Sequence, residues 1–225
     1  QQAGFMSDSH NAVHVKFGSV LDSDGKILKS REGEVIKLVD LLKESIARAE
    51  QAVTERNPEL RGTQRQEVAR AIGIGAVKYA DLSTERTKDY VFDWDRMLAF
   101  EGNTSPYLQY AHARICSIFR RSGSERSTLS GTDIVLDRPE ELLLARRLVN
   151  FAAVTDDTLA TYSPHRLCTY LHSVASAFAS FYEVCPVLGA EDEAIRRSRM
   201  ALCDLTARTI STGLGLLGID SPEQM

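Results

Sequence analysis

The sequence contains no apolar run that approaches the roughly 18 to 20 residues needed to cross a bilayer. The first residues, QQAGFMSDSHN, lack the basic start and apolar centre of a secretory signal, so we expect a cytoplasmic protein. The cysteines, Cys116, Cys168, Cys185 and Cys203, are scattered without CxxC spacing or a nearby histidine pair. This pattern disfavours a zinc site and a disulfide framework and predicts buried free thiols.

Signatures of the common catalytic sites are also missing. There is no G-x-x-x-x-G-K-[ST] phosphate loop, and no Ser-His-Asp or Cys-His arrangement has a recognisable signature. His112, His165 and His172 fall on predicted helices without partner carboxylates at ligand spacing, so we predict histidines satisfied within the fold and no metal site. The net charge of -4 argues against binding nucleic acid by bulk positive charge, but it allows local basic stripes.

What the sequence does contain is helical periodicity. Residues 12–21 alternate apolar and polar side chains and predict one strand, whereas nothing after residue 34 alternates in this way. With 43% apolar residues in 225, the chain can form a proper core. We predict a mainly α protein, an antiparallel helical bundle preceded by a short α/β segment. Apolar residues at spacings of three and four predict helices at about 38–53, 64–79, 94–100, 107–121, 139–159, 164–185 and 191–217.

Three details of this pattern can be tested directly. The 139–159 helix is predicted to bury Leu142, Ala145, Val149 and Ala152. The Ser/Gly/Thr-rich segment 122–133 has no periodicity and is predicted to be a loose linker. In the last helix, Asp204 and Arg208 share a face with Arg197, and their spacing of four predicts an ordinary exposed ion pair without function.

A cationic loop, GKILKSREG, follows the predicted strand. It places Lys26, Lys29 and Arg31 within six residues, between Gly25 and Gly33. Such a loop can stabilise the charge that develops when an α-phosphate is attacked. On spacing alone, a solvated connection is the better interpretation.

The predicted helix 107–121 carries a second candidate surface. Tyr107, Tyr110, Arg114, Ser117 and Arg121 recur at alternating spacings of three and four beside the apolar stripe. Aromatic rings with guanidinium groups between them offer stacking surfaces and phosphate donors together, as RNA-binding surfaces do. The alternative is that the tyrosines pack between helices and the arginines are simply solvated.

Several long motifs occur in one order along the chain and carry a family resemblance. They are GAVKYADLSTERTKDYVFDWDRMLAFEGNTSPYLQYAHARICSIFRR, LCTYLHSVASAFASFYEVCPVL and RSRMALCDLTARTISTGLGLLGIDSPEQM. Together they resemble the C-terminal portion of arginyl-tRNA synthetase, a class I aminoacyl-tRNA synthetase. The resemblance implies the end of a catalytic α/β domain at 1–33, a helical connecting segment at 34–104 and an anticodon-binding helical bundle of the class I type at 105–225.

The resemblance also implies roles for the cationic loop. The loop is similar to the lysine-rich signature loop of class I synthetases, which assigns catalytic phosphate contacts to Lys26, Lys29, Ser30 and Arg31. Ser30 stands where threonine is common, and Glu32 adds negative charge nearby.

A further set of implied roles concerns tRNA. The predicted helix 107–121 matches the start of the anticodon-binding domain. RNA contact by its side chains Tyr107, Tyr110, Arg114 and Arg121 therefore becomes the favoured interpretation. Asn103 and Gln109, in the EGNTSPYLQYA run, are expected near the tRNA acceptor end. The tail 221–225 is similar to a P-E-R-M terminus near the anticodon loop, which implies tRNA contact by Met225. Because it follows Gly218 and contains Pro222, we expect it to add little to the core.

The implied activity of the complete enzyme is ATP-dependent attachment of arginine to tRNA, with ATP and Mg²⁺ as cofactor. The HIGH tetrapeptide and the arginine pocket of that family would precede Gln1, so we expect this chain alone to bind no cofactor, to be inactive as a ligase and to supply tRNA docking, as a monomer. Two alternatives remain: a stand-alone tRNA-binding or regulatory paralogue, and a helical bundle with only protein partners.

Overall fold

The computed structural model of the chain describes residues 12–22, 24–26 and 37–225. Its only sheet in these ranges has two short strands, β1 Val20–Leu21 and β2 Tyr90–Val91, which pair in parallel with Val20 opposite Tyr90. The predicted strand over 12–21 was therefore too long. Residues 12–19 alternate apolar and polar side chains as a strand would. Among the described residues, however, no sheet covers their apolar face, and Phe17 is 87% exposed.

The rest of the described chain is helical, as the periodicity predicts. None of its helices is long and apolar enough to traverse a bilayer. The helices are α1 Leu38–Arg56, α2 Gly62–Ser83, α3 Trp94–Met97, α4 Ser105–Ser122, α5 Pro139–Leu148, α6 Phe151–Thr161, α7 Pro164–Val184 and α8 Glu193–Leu216, with one 3-10 turn at Arg126–Leu129.

Helices α1 and α2 form a tightly packed hairpin. Ser45, fully buried on α1, donates its hydroxyl to the carbonyl of Gly73 on α2 at 2.8 Å. A Cβ atom at Gly73 would lie 2.7 Å from the Cα of Ile46, so the two backbones approach this closely only because residue 73 is glycine. Ala49 and Val53 are buried here, whereas Leu38 is 66% exposed at the open end of the hairpin.

The main core lies between α2, α4, α7 and α8. Helix α4 buries the apolar stripe of the predicted helix 107–121, which consists of Leu108, Ala111, Ile115 and Ile118. Helix α7 buries an apolar stripe as well, through Leu167, Leu171, Val174, Phe178 and Phe181. On α8, Asp204 pairs with Arg208 at 3.0 Å, but Asp204 is only 7% exposed, so this is not the ordinary exposed pair that their spacing predicts. All four cysteines are free and buried, as predicted.

The predicted helix 139–159 is wrong in both extent and face. It is two helices, α5 and α6, which meet at Val149 and Asn150, and Val149 is 79% exposed. Of the predicted inward residues, Leu142 is 38% exposed and Ala152 is exposed, whereas Glu141 and Leu144 are fully buried. The orientation follows from Glu141, whose carboxylate caps the start of α5 and pairs with Arg199 at 2.6 Å.

The segment 122–133 is not a loose linker. Leu129, in its 3-10 turn, is buried in the core. Arg197 of α8 donates to the carbonyl of Thr128 at 3.1 Å. Just beyond the segment, the Ser198 hydroxyl bonds both backbone groups of Val135, at 2.8 and 3.0 Å. The segment is therefore pinned along α8.

Candidate functional site

Helix α4 is positioned by defined caps at both ends. The Thr104 hydroxyl accepts a hydrogen bond from the backbone N–H of Tyr107 at 3.3 Å, and Pro106 occupies the first turn, where its missing N–H costs nothing. Gly123 ends the helix in the left-handed conformation at φ 64°. These caps hold the cationic residues of α4 on one rigid element.

Three of the predicted tRNA-binding side chains share an exposed surface on α4. Tyr110 is 40% exposed, and Arg114 and Arg121 are exposed. The guanidinium carbon of Arg114 lies 4.4 Å from the ring centre of Tyr182 on α7, in cation–π contact. We call Tyr110, Arg114, Arg121 and Tyr182 the Tyr-Arg face.

The sequence did not single out Tyr182. It follows the buried Phe181 and stacks at 5.8 Å against Phe178, so in the sequence it belongs to an ordinary core stripe. Beside it, Arg121 and Tyr182 line a cavity of about 250 Å³ with the loop after α7 at 186–189. The Tyr-Arg face therefore combines two aromatic rings, a recess and two cations.

Tyr107 and Asn103 are engaged with the fold. Tyr107 is half-buried, with its ring 5.5 Å from the ring of His172, which corresponds to the packing alternative for this tyrosine. Asn103 is exposed, but its side-chain oxygen lies 2.7 Å from the hydroxyl of Tyr79. That hydroxyl also lies 2.9 Å from the carbonyl of Cys168, and its burial raises the pKa of Tyr79.

Gln109 is fully buried between α2 and the C-terminal segment. Its amide nitrogen donates to the carbonyls of Ala71 at 3.1 Å and Asp220 at 2.7 Å. In this conformation the side chain offers no surface to a tRNA, and it acts as a clamp between helices. Its expected place near the acceptor end stays a prediction.

The cationic loop falls largely outside the described residues. Lys29, Ser30 and Arg31 lie in the part of the chain that is not described. Lys26 is exposed, and its backbone N–H bonds the carboxylate of Asp22 at 2.9 Å. The turn before it uses the left-handed conformation of Gly25, at φ 76°. The assigned phosphate contacts stay predictions.

The tail 221–225 contradicts the expectation that it adds little to packing. The Pro222 carbonyl lies 3.1 Å from Nδ1 of His112, and the Glu223 carbonyl accepts from Arg120 at 2.9 Å. Met225 is half-buried against the α1–α2 hairpin, and its main-chain oxygen accepts from Asn57 at 3.0 Å. Gly218 and Pro222 stop helix α8 from continuing, as predicted, but the tail that follows them is anchored to the rest of the fold by these contacts.

The prediction that the histidines are hydrogen-bonded within the fold is only partly correct. Burial lowers the pKa of His112 and that of His172. His112 has its partner in the tail, whereas Nδ1 of His165 is buried without a hydrogen bond among the described residues. Within the same residues, no three His, Cys, Asp or Glu side chains come close enough together to hold a metal ion.

Two family models match the chain. Residues 1–94 match the catalytic domain of class I tRNA synthetases of the arginine type, and residues 108–225 match the DALR anticodon binding domain. Among curated proteins, the chain is 51% identical over 226 residues to the arginine–tRNA ligase of Cellvibrio japonicus and 50% identical over 225 residues to that of Edwardsiella ictaluri. Each match covers the whole chain and 39% of the relative's length.

Solved structures resemble the fold over nearly the whole chain. The Thermus thermophilus arginyl-tRNA synthetase superposes with a TM-score of 0.83 at 33% identity, covering 93% of this chain and 35% of that one. The Plasmodium falciparum arginyl-tRNA synthetase gives 0.80 at 30% identity, covering 94% and 35%. The fold, the order of motifs and these matches agree, and the chain belongs to the arginyl-tRNA synthetase family, in which it corresponds to the end of the class I catalytic domain and the DALR anticodon-binding domain.

Proposed function

We propose that this chain is the tRNA-docking part of an arginine–tRNA ligase, which attaches arginine to tRNA with ATP. The observation that supports docking best is the Tyr-Arg face, which has three of its residues on α4, the first helix of the DALR match, and Tyr182 on α7. We propose that the protein works in the cytoplasm as a monomer.

The chemistry of the Tyr-Arg face suits a looped RNA strand. The exposed ring of Tyr110 offers a stacking surface for an unpaired base, and the Arg114–Tyr182 pair offers a second flat surface. Arg114 and Arg121 can each donate to a phosphate. Since the chain carries a net charge of -4, binding depends on these local cations and must weaken as salt rises.

The other assigned residues complete the proposal. Met225 sits beside the hairpin at the end of a tail that is already anchored, so it needs little further ordering to contact an anticodon loop. Lys26, Lys29, Ser30 and Arg31 would contact ATP phosphates in the complete enzyme, where Mg²⁺ accompanies the nucleotide. Asn103 and Tyr107 hold the start of α4, and we assign their effect on tRNA to positioning.

The test measures the affinity of an arginine-accepting tRNA as a function of salt concentration. Arg114→Gln combined with Arg121→Gln removes two exposed cations, so the slope of log affinity against log salt should fall by roughly one to two units. The matched control is Arg166→Gln, an exposed arginine on α7 about 24 Å from Tyr182 by helical rise.

Thermal melting of the double variant should stay close to that of the unmodified chain, since both side chains are exposed. An unchanged salt slope, or an equal loss in the Arg166→Gln control, would show that the Tyr-Arg face is not the docking surface.

A further inference from the structure

Residues 84–89, which we call the junction segment, connect α2 to β2 and lie between two other parts of the molecule. On one side they bind residues 18–20, which lead into β1, and on the other they bind the corner between α6 and α7. Residues 18–20 fall in the catalytic-domain match, whereas the corner falls in the anticodon-binding match. The junction segment therefore links the two matched regions.

The contact between the junction segment and residues 18–20 is close. The N–H of Gly18 donates to the carbonyl of Arg86 at 2.6 Å, and the N–H of Ser19 donates to the carboxylate of Asp89 at 2.6 Å. A Cβ atom at Gly18 would overlap the carbonyl of Lys88, so the two segments approach this closely only because residue 18 is glycine. A movement of the junction segment must therefore displace residues 18–20 as well.

The contact with the α6–α7 corner is made by one side chain. Nη1 of Arg86 donates to the carbonyl of Tyr162 at 3.1 Å. Tyr162 ends α6 in the left-handed conformation, at φ 51° and ψ 42°, and is the only non-glycine residue with positive φ in the described part of the chain. This conformation is costly for a residue with a Cβ atom. Arg86 thus binds residues 18–20 through its main chain and a strained corner through its guanidinium.

Strand β1 leads directly to the first cation of the loop GKILKSREG. Asp22 follows the strand, its N–H donates to the carbonyl of Lys26 at 2.8 Å, and its carboxylate accepts from the N–H of Lys26 at 2.9 Å. The position of β1 therefore fixes the position of Lys26. A continuous path runs from Tyr162 through Arg86 and Gly18 to this lysine.

We propose that Arg86 is a positioning residue, through which the α6–α7 corner sets the position of β1 and of Lys26. In the complete enzyme Lys26 belongs to the loop that is assigned to ATP phosphates, so Arg86 acts on the ATP-dependent step without touching the substrate. This consequence rests on the proposed function. The coupling of the corner to β1 is a property of the chain itself and requires neither tRNA nor ATP.

The test measures amide hydrogen exchange of the 225-residue chain by NMR. Arg86→Ala removes the bond to Tyr162 but keeps the carbonyl that accepts from Gly18. The amides of Gly18 and of Phe92, which donates to the carbonyl of Leu21 in β1, should exchange at least about fivefold faster, and the amide signal of Lys26 should shift. Exchange in α8, which reports opening of the whole fold, should stay unchanged.

Two further variants separate positioning from a general loss of structure. Arg86→Lys should restore slow exchange at Gly18 and Phe92, because an ammonium group can still donate to the carbonyl of Tyr162. Lys88→Ala is the matched control, since this cation lies in the same junction segment but pairs with Glu85 at 3.1 Å. It should leave the exchange rates unchanged.

In the complete enzyme, ATP–pyrophosphate exchange driven by arginine measures the consequence for the reaction. Arg86→Ala should lower kcat at least about fivefold with unchanged tRNA affinity, and Arg86→Lys should recover it. The proposal is overturned if Arg86→Ala leaves the amide exchange or kcat unchanged, if Lys88→Ala has an equal effect, or if Arg86→Lys restores neither. A complete protein without ligase activity would refute the proposed function, whereas amide exchange would still decide whether Arg86 couples the corner to β1.

Discussion

Glu141 and Arg199 form a buried charge pair that joins three elements. Glu141 is fully buried and accepts from Nε of Arg199 at 2.6 Å and from the backbone of Asp137 and Arg138 at 2.7 and 2.8 Å. Arg199 also donates to the Pro186 carbonyl at 2.9 Å. Burial by itself raises the pKa of Glu141, but the hydrogen bonds from Arg199 and the two backbone amides outweigh it and hold the pKa below its usual value.

Glu141→Gln should therefore destabilise the fold by about 3 kcal/mol, because the guanidinium of Arg199 stays buried without its counter-ion. Urea unfolding at neutral pH measures the loss. Since the pKa of Glu141 is lower in the folded state, its contribution is present above the unfolded pKa and is lost as pH falls through the folded pKa. The difference between the two proteins should thus shrink below about pH 4.

The control is Glu140→Gln, the neighbouring carboxylate, which has no hydrogen bond or ion pair among the described residues. It should change stability by less than about 0.5 kcal/mol. Equal effects of the two substitutions would mean that the pair with Arg199 is energetically unimportant.

At the level of whole elements, the close packing of α1 against α2 depends on residue 73 being glycine, which has no Cβ atom. In Gly73→Ala the added Cβ would meet the backbone of Ile46 at 2.7 Å, which only separation of the helices can relieve. We expect a loss of about 1 to 3 kcal/mol in unfolding free energy. The comparison is Gly215→Ala in α8, where a Cβ has no atom within 4 Å and alanine should be neutral or stabilising by up to about 1 kcal/mol. A neutral Gly73→Ala would contradict the close approach.

The elements that the sequence predicted well are those with one apolar face. In α4 and α7 the apolar residues recur at three and four, so only one orientation buries them. In α5, Leu142, Leu143 and Leu144 are consecutive and give no single face. The orientation is chosen by Glu141 and its partner on α8, and a partner 58 residues away is invisible to local periodicity.

The candidate site divides in the same way. The spacing of Tyr110, Arg114 and Arg121 on one helix predicted that they share a surface, because helical spacing is a local property. The contribution of Tyr182 could not be predicted, since it comes from packing α7 against α4. Nothing in the local sequence distinguishes Gln109 from an exposed polar residue of α4. It is nevertheless buried, because its amide hydrogen-bonds to carbonyls of two other segments, those of Ala71 and Asp220.

On the scale of the whole molecule, the C-terminal tail closes the structure. Deletion of residues 221–225 removes partners of Asn57, His112 and Arg120, on α4 and next to the α1–α2 hairpin. At about 1 kcal/mol for each hydrogen bond, plus the contact of Met225, we expect a loss of at least about 2 kcal/mol. Chemical denaturation of the truncated chain measures it.

Gln224→Ala is the control for the tail. Its side chain is exposed and, among the described residues, hydrogen-bonds to Gln64 alone, at 3.1 Å, so the variant should differ from the unmodified chain by less than about 0.5 kcal/mol. If the truncated chain unfolds with the same free energy as the Gln224→Ala control, the tail does not contribute to the stability of the fold.

The hydroxyl of Tyr79 lies where two matched regions meet. The tyrosine is on α2, within the region similar to the catalytic domain, yet it contacts the carbonyl of Cys168 on α7 and shares one core cluster with Leu108, Leu171 and Leu214 of the anticodon-binding match. The border between the two matched regions therefore lies inside a shared hydrophobic core. We therefore expect the helices on either side of this border to unfold together, so that a destabilising change in the anticodon-binding helices also lowers the stability of the α1–α2 hairpin.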